Sequence, residues 1–463
     1  MEVEEEVTRL RCVAKFLLEE NVESPVVLKD CAKNWPCSKW GLHKFCESLK
    51  EKLIKIRIGY KDKAQWEGEC VYEMATMTNL MEWCESTESA ASAPSSSQNQ
   101  TNKTSRDDNP LMKYNPEIYW CYADYKYMAE MFSENQDILK EVCWSTLGFE
   151  GRDGYDSTLW IGSEGANTPC HYDSYGCNLV LQVVGKKKWY LFSPDQTEFL
   201  YPTRIPYEES SVFSEVNIMN PDLVKHSLFQ SATPYIVTLQ PGDILVVPHH
   251  WWHYVESLET SVSVNCWMNL PVDDECRLQE AITRAVFSRF YEKNDQESGD
   301  WLNPTESIVS MDVNLEYINE IMNNIKKTKV KRILHEDSEN TDVGYSQRCH
   351  AMDNPAVGRS LEDDQSAKCH RKRKLIHSDE GDVSEVKTKR YTASSNKHCM
   401  NFFREIGVIA EIVPRQMSKD IKQEVMDIAG HNNEQNVDVK TILQCVTHPK
   451  IISEISKLLL NKL

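Results

Sequence analysis

A histidine and an aspartate two positions apart lie in the segment NTPCHYDSYGCN, residues 167–178. In an extended strand, residues two apart point to the same side, so His171 and Asp173 can bind one metal ion together. A third ligand has to come from another strand, and the candidate is His253 in VVPHHWWHYVES, residues 246–257. Two imidazoles and one carboxylate on one face of a metal are the ligand set of iron(II) oxygenases, which leaves positions for a cosubstrate and dioxygen.

The same His-x-Asp triplet occurs twice more, at His335–Asp337 and at His377–Asp379. Both copies lie between about residues 335 and 398, a polar and charge-rich stretch without a sustained period, which predicts disorder. Each histidine taken alone is more simply interpreted as a polar residue at a strand end. The strand-rich surroundings of His171 and His253 are what favour a metal site.

The strongest strand patterns lie between Ser157 and Met268, in STLWIG, NLVLQVVG, KKWYLFSP, YIVTLQPGDILVVP and SVSVNCWM. Short strands joined by glycine and proline turns, mostly without helix-length connections, predict an antiparallel barrel or a double-sheet jelly roll. Within it, the segment Tyr254–Glu256 is expected to pair with Ser261–Trp267. Trp160 is expected to be a core residue, and His249 and His250 are expected to be solvent-facing rim residues.

The segments that flank the barrel also have recognisable periods. Helical spacing over SKWGLHKFCESLKEKL and alternation of isoleucines in IKIRIGY predict an α/β lead-in. After Pro271, the run DDECRLQEAITRAVFSRFYEK predicts an amphipathic capping helix with Leu278, Ile282, Val286 and Phe290 on one face. Ser86–Asn109 has almost no apolar residue to offset the entropy of ordering, which predicts a flexible insertion.

These patterns divide the chain into six predicted parts. They are an N-terminal α/β part over 1–85, a disordered insertion over 86–110, the barrel core with its capping helix over 111–292, a connecting helical segment over 293–334, a disordered tail over 335–400 and a small helical element over 401–463. The last element is expected to be a partner-docking helix that metal binding does not need. The alternative is that Ile452, Ile455 and Leu459 pack back onto the barrel.

Composition excludes several classes of protein. The formal net charge of -19 opposes a general polyanion-binding surface. No apolar run approaches the roughly 20 residues that span a bilayer, and the acidic MEVEEEVTRLRC is unlike a secretory signal. The sixteen cysteines never form Cys-x-x-Cys, which favours reduced thiols in the cytoplasm. Two basic runs, KCHRKRK at 368–374 and KTKR at 387–390, leave a nuclear location open.

Five short motifs follow one another in order across residues 20–290, and together they resemble the JmjC family of iron(II) and 2-oxoglutarate oxygenases. The motifs are Thr168-Pro-Cys-His171-Tyr-Asp173, Asn178, Gly185-Lys-Lys187-Lys-Trp189, Pro248-His-His-Trp251-Trp-His253 and Ser263-Val-Asn265-Cys-Trp267. The resemblance implies a mainly β fold with helices, namely the cupin-like double-stranded β-helix, or jelly roll, with an α/β lead-in, a capping helix and a disordered tail.

The resemblance also assigns roles to residues. His171, Asp173 and His253 would hold iron(II), and Lys187 and Thr168 would bind the distal carboxylate of 2-oxoglutarate. Asn178 and Asn265 would hydrogen-bond the cosubstrate or the groups that surround the metal. The strand pattern alone does not choose among Lys186, Lys187 and Lys188, and the family's G-x-K spacing selects Lys187.

The implied reaction uses dioxygen to convert 2-oxoglutarate to succinate and to hydroxylate a C–H bond of a substrate. A protein substrate is expected in preference to a nucleic acid. The competing interpretation is a stress-response adaptor that binds small heat-shock proteins and uses the domain as a scaffold. The complete ligand set together with Lys187 favours the enzyme, since a scaffold needs none of these residues.

Overall fold

The computed structural model describes residues 23–92, 108–270, 272–291, 301–302, 308–339, 409–411 and 439–461. The strands are β1 Val26–Leu28, β2 Ile54–Tyr60, β3 Val71–Ala75, β4 Tyr119–Tyr127, β5 Thr158–Gly162, β6 Asn167–Asp173, β7 Cys177–Val184, β8 Lys187–Phe192, β9 Pro202–Thr203, β10 Ser211–Ser214, β11 Tyr235–Leu239, β12 Ile244–Val247, β13 Trp252–Ser257, β14 Ser261–Met268 and β15 Ile409–Glu411.

The α-helices are α1 Leu42–Leu49, α2 Met77–Ser92, α3 Met128–Met131, α4 Asp273–Tyr291, α5 Met311–Glu339, α6 Val439–Val446 and α7 Pro449–Leu460. Short 3₁₀ helices cover Pro36–Lys39, Glu67–Glu69, Gln136–Glu141, Trp144–Leu147, Gly154–Asp156, Pro194–Leu200 and Ser227–Ser231. None of the helices in the described ranges is both long enough and apolar enough to cross a membrane.

Two antiparallel sheets form the barrel. The larger has the order β15-β1-β12-β7-β14-β5-β4-β2-β3, and the smaller has the order β11-β8-β13-β6-β10-β9. Strands β5 to β8 alternate between the two sheets along the chain, and so do β12 to β14. This alternation makes the fold a double-stranded β-helix, and it confirms the predicted fold class.

The strands differ in composition according to what covers them. Strand β7, CNLVLQVV, is buried along almost its whole length, as expected for a strand with both faces covered. Strand β6, NTPCHYD, is polar by comparison and contains both buried and half-buried positions. The two faces of the smaller sheet therefore have different environments, and β6 brings polar side chains to the barrel interior.

The predicted α/β lead-in is present. Ile54, Ile56 and Ile58 are buried on β2, which pairs with β3 and β4 and so extends the larger sheet. Phe45 and Leu49 of α1 are buried in the same apolar core. The lead-in thus shares its core with the barrel.

The predicted pairing of Tyr254–Glu256 with Ser261–Trp267 is wrong. Strand β13 pairs with β6 on one side and β8 on the other, so both of its edges are occupied within the smaller sheet. Strand β14 pairs with β5 and β7 in the larger sheet. The short connection from β13 to β14 crosses between the sheets and does not form a hairpin.

The structure describes residues at both ends of the predicted flexible insertion. Helix α2 continues to Ser92, and on the other side Asn109 is buried, with its side-chain amide donating to the carbonyl of Asn79 (3.0 Å). The part over 93–107 lies outside the described residues. Helix α5 continues to Glu339 and so covers the start of the predicted tail. The rest of that tail, over 340–400, includes His377–Asp379 and lies outside the described residues.

The predicted capping helix is α4, with Leu278 and Ile282 buried. Helix α7 packs on α4 and α5 through a cluster that includes Ile452, which is 2% exposed, with Ile455 and Leu459 beside it. The helical end of the chain therefore packs back onto the domain through its capping helix α4, as the alternative expectation stated. This packing places part of the C-terminal element within the domain's core.

Candidate metal centre

The three predicted metal ligands lie together at one end of the smaller sheet. His171 on β6 stands directly opposite His253 on β13, and their ring centroids are 4.2 Å apart. Asp173 ends β6, and one ligand atom from each of the three residues lies within 4.8 Å of the others. Both imidazoles are buried and Asp173 is half-buried. The geometry matches a metal held by two imidazoles and a carboxylate.

Each imidazole is oriented by the backbone carbonyl two residues before it. The Nδ1 of His171 lies 2.8 Å from the carbonyl oxygen of Pro169, and the Nδ1 of His253 lies 2.9 Å from that of Trp251. Because a carbonyl only accepts, each Nδ1 must carry the proton, which leaves the Nε2 lone pair for a metal. Burial, and secondarily His253, lower the pKa of His171 to about 4, so this imidazole is neutral at physiological pH.

The carboxylate of Asp173 is held by a network that spans the barrel. The indole Nε1 of Trp267 donates to its Oδ2 (3.0 Å), and the amide of Asn178 approaches the same oxygen (3.5 Å). Asn265 donates to the Oδ1 of Asn178 (2.9 Å), and Trp160 donates to the Oδ1 of Asn265 (2.8 Å). Asn178, Asn265 and Trp160 therefore act on the metal centre through Asp173, and Trp160 has a polar role beyond packing.

Lys187 begins β8 and is 2% exposed. Its cross-strand partner is Ser257, four residues after His253, so Lys187 and His253 face the same side of the sheet. The Nζ donates to the hydroxyl of Tyr122 (3.0 Å), and no carboxylate among the described residues lies within ion-pairing distance of it. Burial lowers the pKa of Lys187 to about 7. A buried cation with only a neutral partner fits an anionic ligand.

The neighbouring lysines have other environments. Lys186 is half-buried with a side chain that is 43% exposed, and its Nζ lies 3.9 Å from a carboxylate oxygen of Glu259. Lys188 is half-buried and lies over the ring of Tyr190 (4.8 Å). Only Lys187 of the three is buried on the side of the sheet that carries His253.

Tyr122 on β4 was not among the predicted site residues. Its hydroxyl contacts both Lys187 and the side chain of Thr168, which joins the larger sheet to the smaller one. Burial raises the pKa of Tyr122, so the hydroxyl keeps its proton and can donate to a ligand. The strand reads YWCYADYKY, and nothing in the pattern distinguishes this tyrosine from its neighbours.

The lead-in also contacts the site. Arg57 on β2 is fully buried, and it donates from Nε to Asp124 (2.7 Å) and from Nη2 to the carbonyl of Asn167, the first residue of β6 (2.9 Å). Trp66 packs edge-on against Phe213, and Phe213 lies 5.7 Å from the ring of His171. The N-terminal part therefore supports β6 and covers one side of the metal centre.

Comparison with known proteins agrees with this geometry. A family model described as a cupin-like domain matches residues 16–274. The chain belongs to the cupin-like JmjC family. The matched range begins in the lead-in and ends at the start of α4, so it includes all seven predicted site residues.

The relatives that match the chain include proteins named for association with HSPB1. The chain is 44% identical over 306 residues to HSPB1-associated protein 1 of Rattus norvegicus, covering 65% of this chain and 60% of that protein. It is 34% identical over 460 residues to HSPB1-associated protein 1 homolog of Danio rerio, covering 95% and 94%. Lysine-specific demethylase 8 of Danio rerio is 40% identical over 146 residues, covering 31% and 35%.

Proposed function

We propose that this chain is an iron(II)- and 2-oxoglutarate-dependent oxygenase that hydroxylates a protein. One observation carries the proposal. A His-Asp-His cluster and a buried lysine lie on the same face of the smaller sheet, and this lysine forms no ion pair with a carboxylate among the described residues. A metal site alone fits many functions. A metal site with a separate anion-binding cation fits a cosubstrate that bridges the two.

Each residue has a stated task in this proposal. His171, Asp173 and His253 bind iron(II) through two Nε2 atoms and a carboxylate oxygen. The indole N–H of Trp267 donates to the Oδ2 of Asp173 and so orients the carboxylate. When bound, iron(II) with 2-oxoglutarate and dioxygen supplies the oxidative decarboxylation that yields succinate and a hydroxylated product.

Lys187, Tyr122 and Thr168 bind the distal carboxylate of 2-oxoglutarate. Lys187 supplies charge, and the two hydroxyls supply hydrogen-bond donors. All three side chains are buried, so a carboxylate that enters their pocket loses water and gains a strong interaction in return. The pocket also fixes the orientation of the cosubstrate relative to the metal ligands.

The proposed substrate is a protein. The name of one relative, lysine-specific demethylase 8, refers to action on lysine, and a net charge of -19 opposes general binding of nucleic acid. We also propose a cytoplasmic location, which the lack of any Cys-x-x-Cys motif among the sixteen cysteines favours.

Turnover of 2-oxoglutarate tests the enzymatic proposal. The wild-type chain, supplied with iron(II), 2-oxoglutarate and dioxygen, is expected to form succinate, and candidate protein substrates are expected to increase the rate. Asp173→Ala is expected to remove this activity, whereas Asp62→Ala, a change at an exposed aspartate, is expected to keep it. A wild-type chain that binds iron(II) but never consumes 2-oxoglutarate, with protein or RNA candidates present, contradicts the proposal.

A second candidate function is an adaptor for small heat-shock proteins. The names of the relatives from Rattus norvegicus and Danio rerio, which refer to HSPB1, favour it. The chain covers only 60% of the rat relative, so partner binding by that protein does not transfer directly. Adaptor and enzyme functions are compatible, because the metal centre occupies only one end of the barrel.

A truncation that ends near residue 330 separates the two functions and tests the C-terminal packing. Removing α6 and α7 exposes apolar area around Leu278 and Ile282, so the melting temperature is expected to fall. Binding of a small heat-shock protein, measured by titration, is expected to be lost if α6 and α7 form the docking site. Retained partner binding would place the docking surface on the barrel.

A further inference from the structure

His250 lies in the turn between β12 and β13, three residues before His253. Its φ is 65°, in the left-handed region that residues with a Cβ rarely adopt. The sequence predicted a solvent-facing rim residue, but the side chain is only partly exposed. A strained backbone next to a ligand persists only where surrounding contacts hold it, so the contacts of His250 are informative.

Two hydrogen bonds of His250 reach the segment Asp173–Gly176, here called the Asp173 turn. The backbone N–H of His250 donates to the carbonyl of Asp173 (3.2 Å), and its Nε2 lies 2.9 Å from the carbonyl oxygen of Ser174. Because that oxygen only accepts, the Nε2 must carry the proton. The thiol of Cys276 lies 3.7 Å from the same nitrogen, a longer and weaker contact.

Strand pairing does not fix the position of Asp173 relative to His253, whereas the hydrogen bonds of His250 connect the two. On β6, the ladder with β13 includes His171 opposite His253 and continues away from Asp173, towards Asn167. Asp173 itself pairs with Ser211 on β10, on the other edge of β6. Strand pairing with β13 therefore fixes the two histidines relative to each other but does not reach Asp173.

We propose that His250 is a positioning residue for the metal centre, and that its two hydrogen bonds to the Asp173 turn fix the carboxylate ligand relative to His253. The inference rests on the proposed metal-binding function. Trp267 orients the carboxylate group of Asp173, whereas His250 holds the backbone that carries it.

Metal titration of three variants tests this role. His250→Asn keeps the backbone N–H and tolerates the left-handed conformation, but its side chain is too short to reach Ser174. His250→Gln has a longer side chain with an amide donor. His249→Asn removes the adjacent imidazole, which makes no such hydrogen bond to the Asp173 turn, and is the matched control. The probe is cobalt(II), whose visible absorption reports coordination geometry, and the melting temperature of the metal-free protein is measured in parallel.

We expect His250→Asn to weaken cobalt(II) affinity about 10- to 100-fold and to change its absorption spectrum, as loss of a group that orients ligands typically does. We expect His250→Gln to recover part of the affinity and His249→Asn to match wild type. Wild-type affinity and spectrum in His250→Asn would overturn the inference, and so would an affinity loss explained by a fallen melting temperature that glutamine does not restore. A wild-type chain that binds no cobalt(II) or iron(II) would overturn the proposed function itself.

Discussion

The metal centre and the Lys187 pocket face the same side of the smaller sheet but are assembled differently. Two of the three metal ligands lie on one strand, and the third stands directly opposite on the neighbouring strand. Each imidazole is held by a carbonyl two residues before it. The Lys187 pocket instead takes residues from three strands, β4, β6 and β8, and β4 belongs to the other sheet.

This difference in construction determines how easily each site can be recognised from the sequence. The metal site is built on two neighbouring strands, so two of its ligands stand two residues apart in the sequence and the third comes from the strand paired beside them. A pocket built across two sheets needs the packing of the whole barrel and of the lead-in, where Arg57 ties β2 to β4 and β6. Its parts carry no common spacing in the sequence. In the proposed function the two sites have opposite electrical preferences, since one would bind a cation and the other an anion.

The largest effect is expected from loss of a metal ligand, and it should distinguish the metal centre from the two other His-x-Asp triplets in the sequence. Asp173→Ala or His253→Ala leaves an incomplete ligand set and is expected to abolish iron(II) binding, measured by metal titration. Asp337→Ala and Asp379→Ala, which change the chance triplets, are expected to leave binding unchanged. An equal loss in all four variants would contradict the assignment.

Removing the charge of Lys187 from the Lys187 pocket is expected to have the next largest effect. Lys187→Ala deprives a buried carboxylate of its charged partner, which typically costs about 2 to 5 kcal/mol of binding free energy. We expect 2-oxoglutarate affinity to fall accordingly, in calorimetric titration, while iron(II) still binds. Lys186→Ala is the control, because that side chain is 43% exposed. If only Lys186→Ala weakened binding, the assignment of the pocket would be wrong.

The affinity for 2-oxoglutarate is expected to depend on pH because of Lys187. Burial lowers the pKa of Lys187 to about 7 in the free protein, and a bound carboxylate would raise it. Binding therefore takes up a proton above pH 7, so 2-oxoglutarate affinity is expected to be constant below about pH 7 and to fall up to about tenfold per pH unit above it. Titrations at several pH values check this, and Lys187→Ala should lose the dependence. Affinity that rises above pH 7 would contradict a cationic Lys187 in the complex.

The smallest expected effect concerns a single hydroxyl of the pocket. Tyr122→Phe removes the acceptor for Lys187 and one proposed donor to the cosubstrate, a loss of about 0.5 to 1.5 kcal/mol. We expect 2-oxoglutarate affinity to fall a few-fold with metal affinity unchanged. Tyr119→Phe, on the same strand, removes a hydroxyl that contacts Tyr60 and is the control. Equal effects of the two changes would place Tyr122 outside the pocket.

Much of the fold was predictable because its signals are local. The strand segments from Ser157 to Met268, the lead-in helix and the capping helix all follow from residue spacing within single elements. Tyr122 was not predictable, since its strand contains several tyrosines of similar pattern. His250 was misjudged because its role depends on a turn conformation and on two carbonyls distant in sequence.

The sequence by itself determined that His171 and Asp173 point to the same side of a strand, because side chains in an extended strand repeat every two residues. It also determined that an apolar-faced helix closes the domain. Only the tertiary structure decided that β13 lies between β6 and β8 and not beside β14, and that α7 packs against α4. Strand partners and helix docking depend on contacts between residues far apart in the chain, and such contacts leave no periodic pattern within either segment.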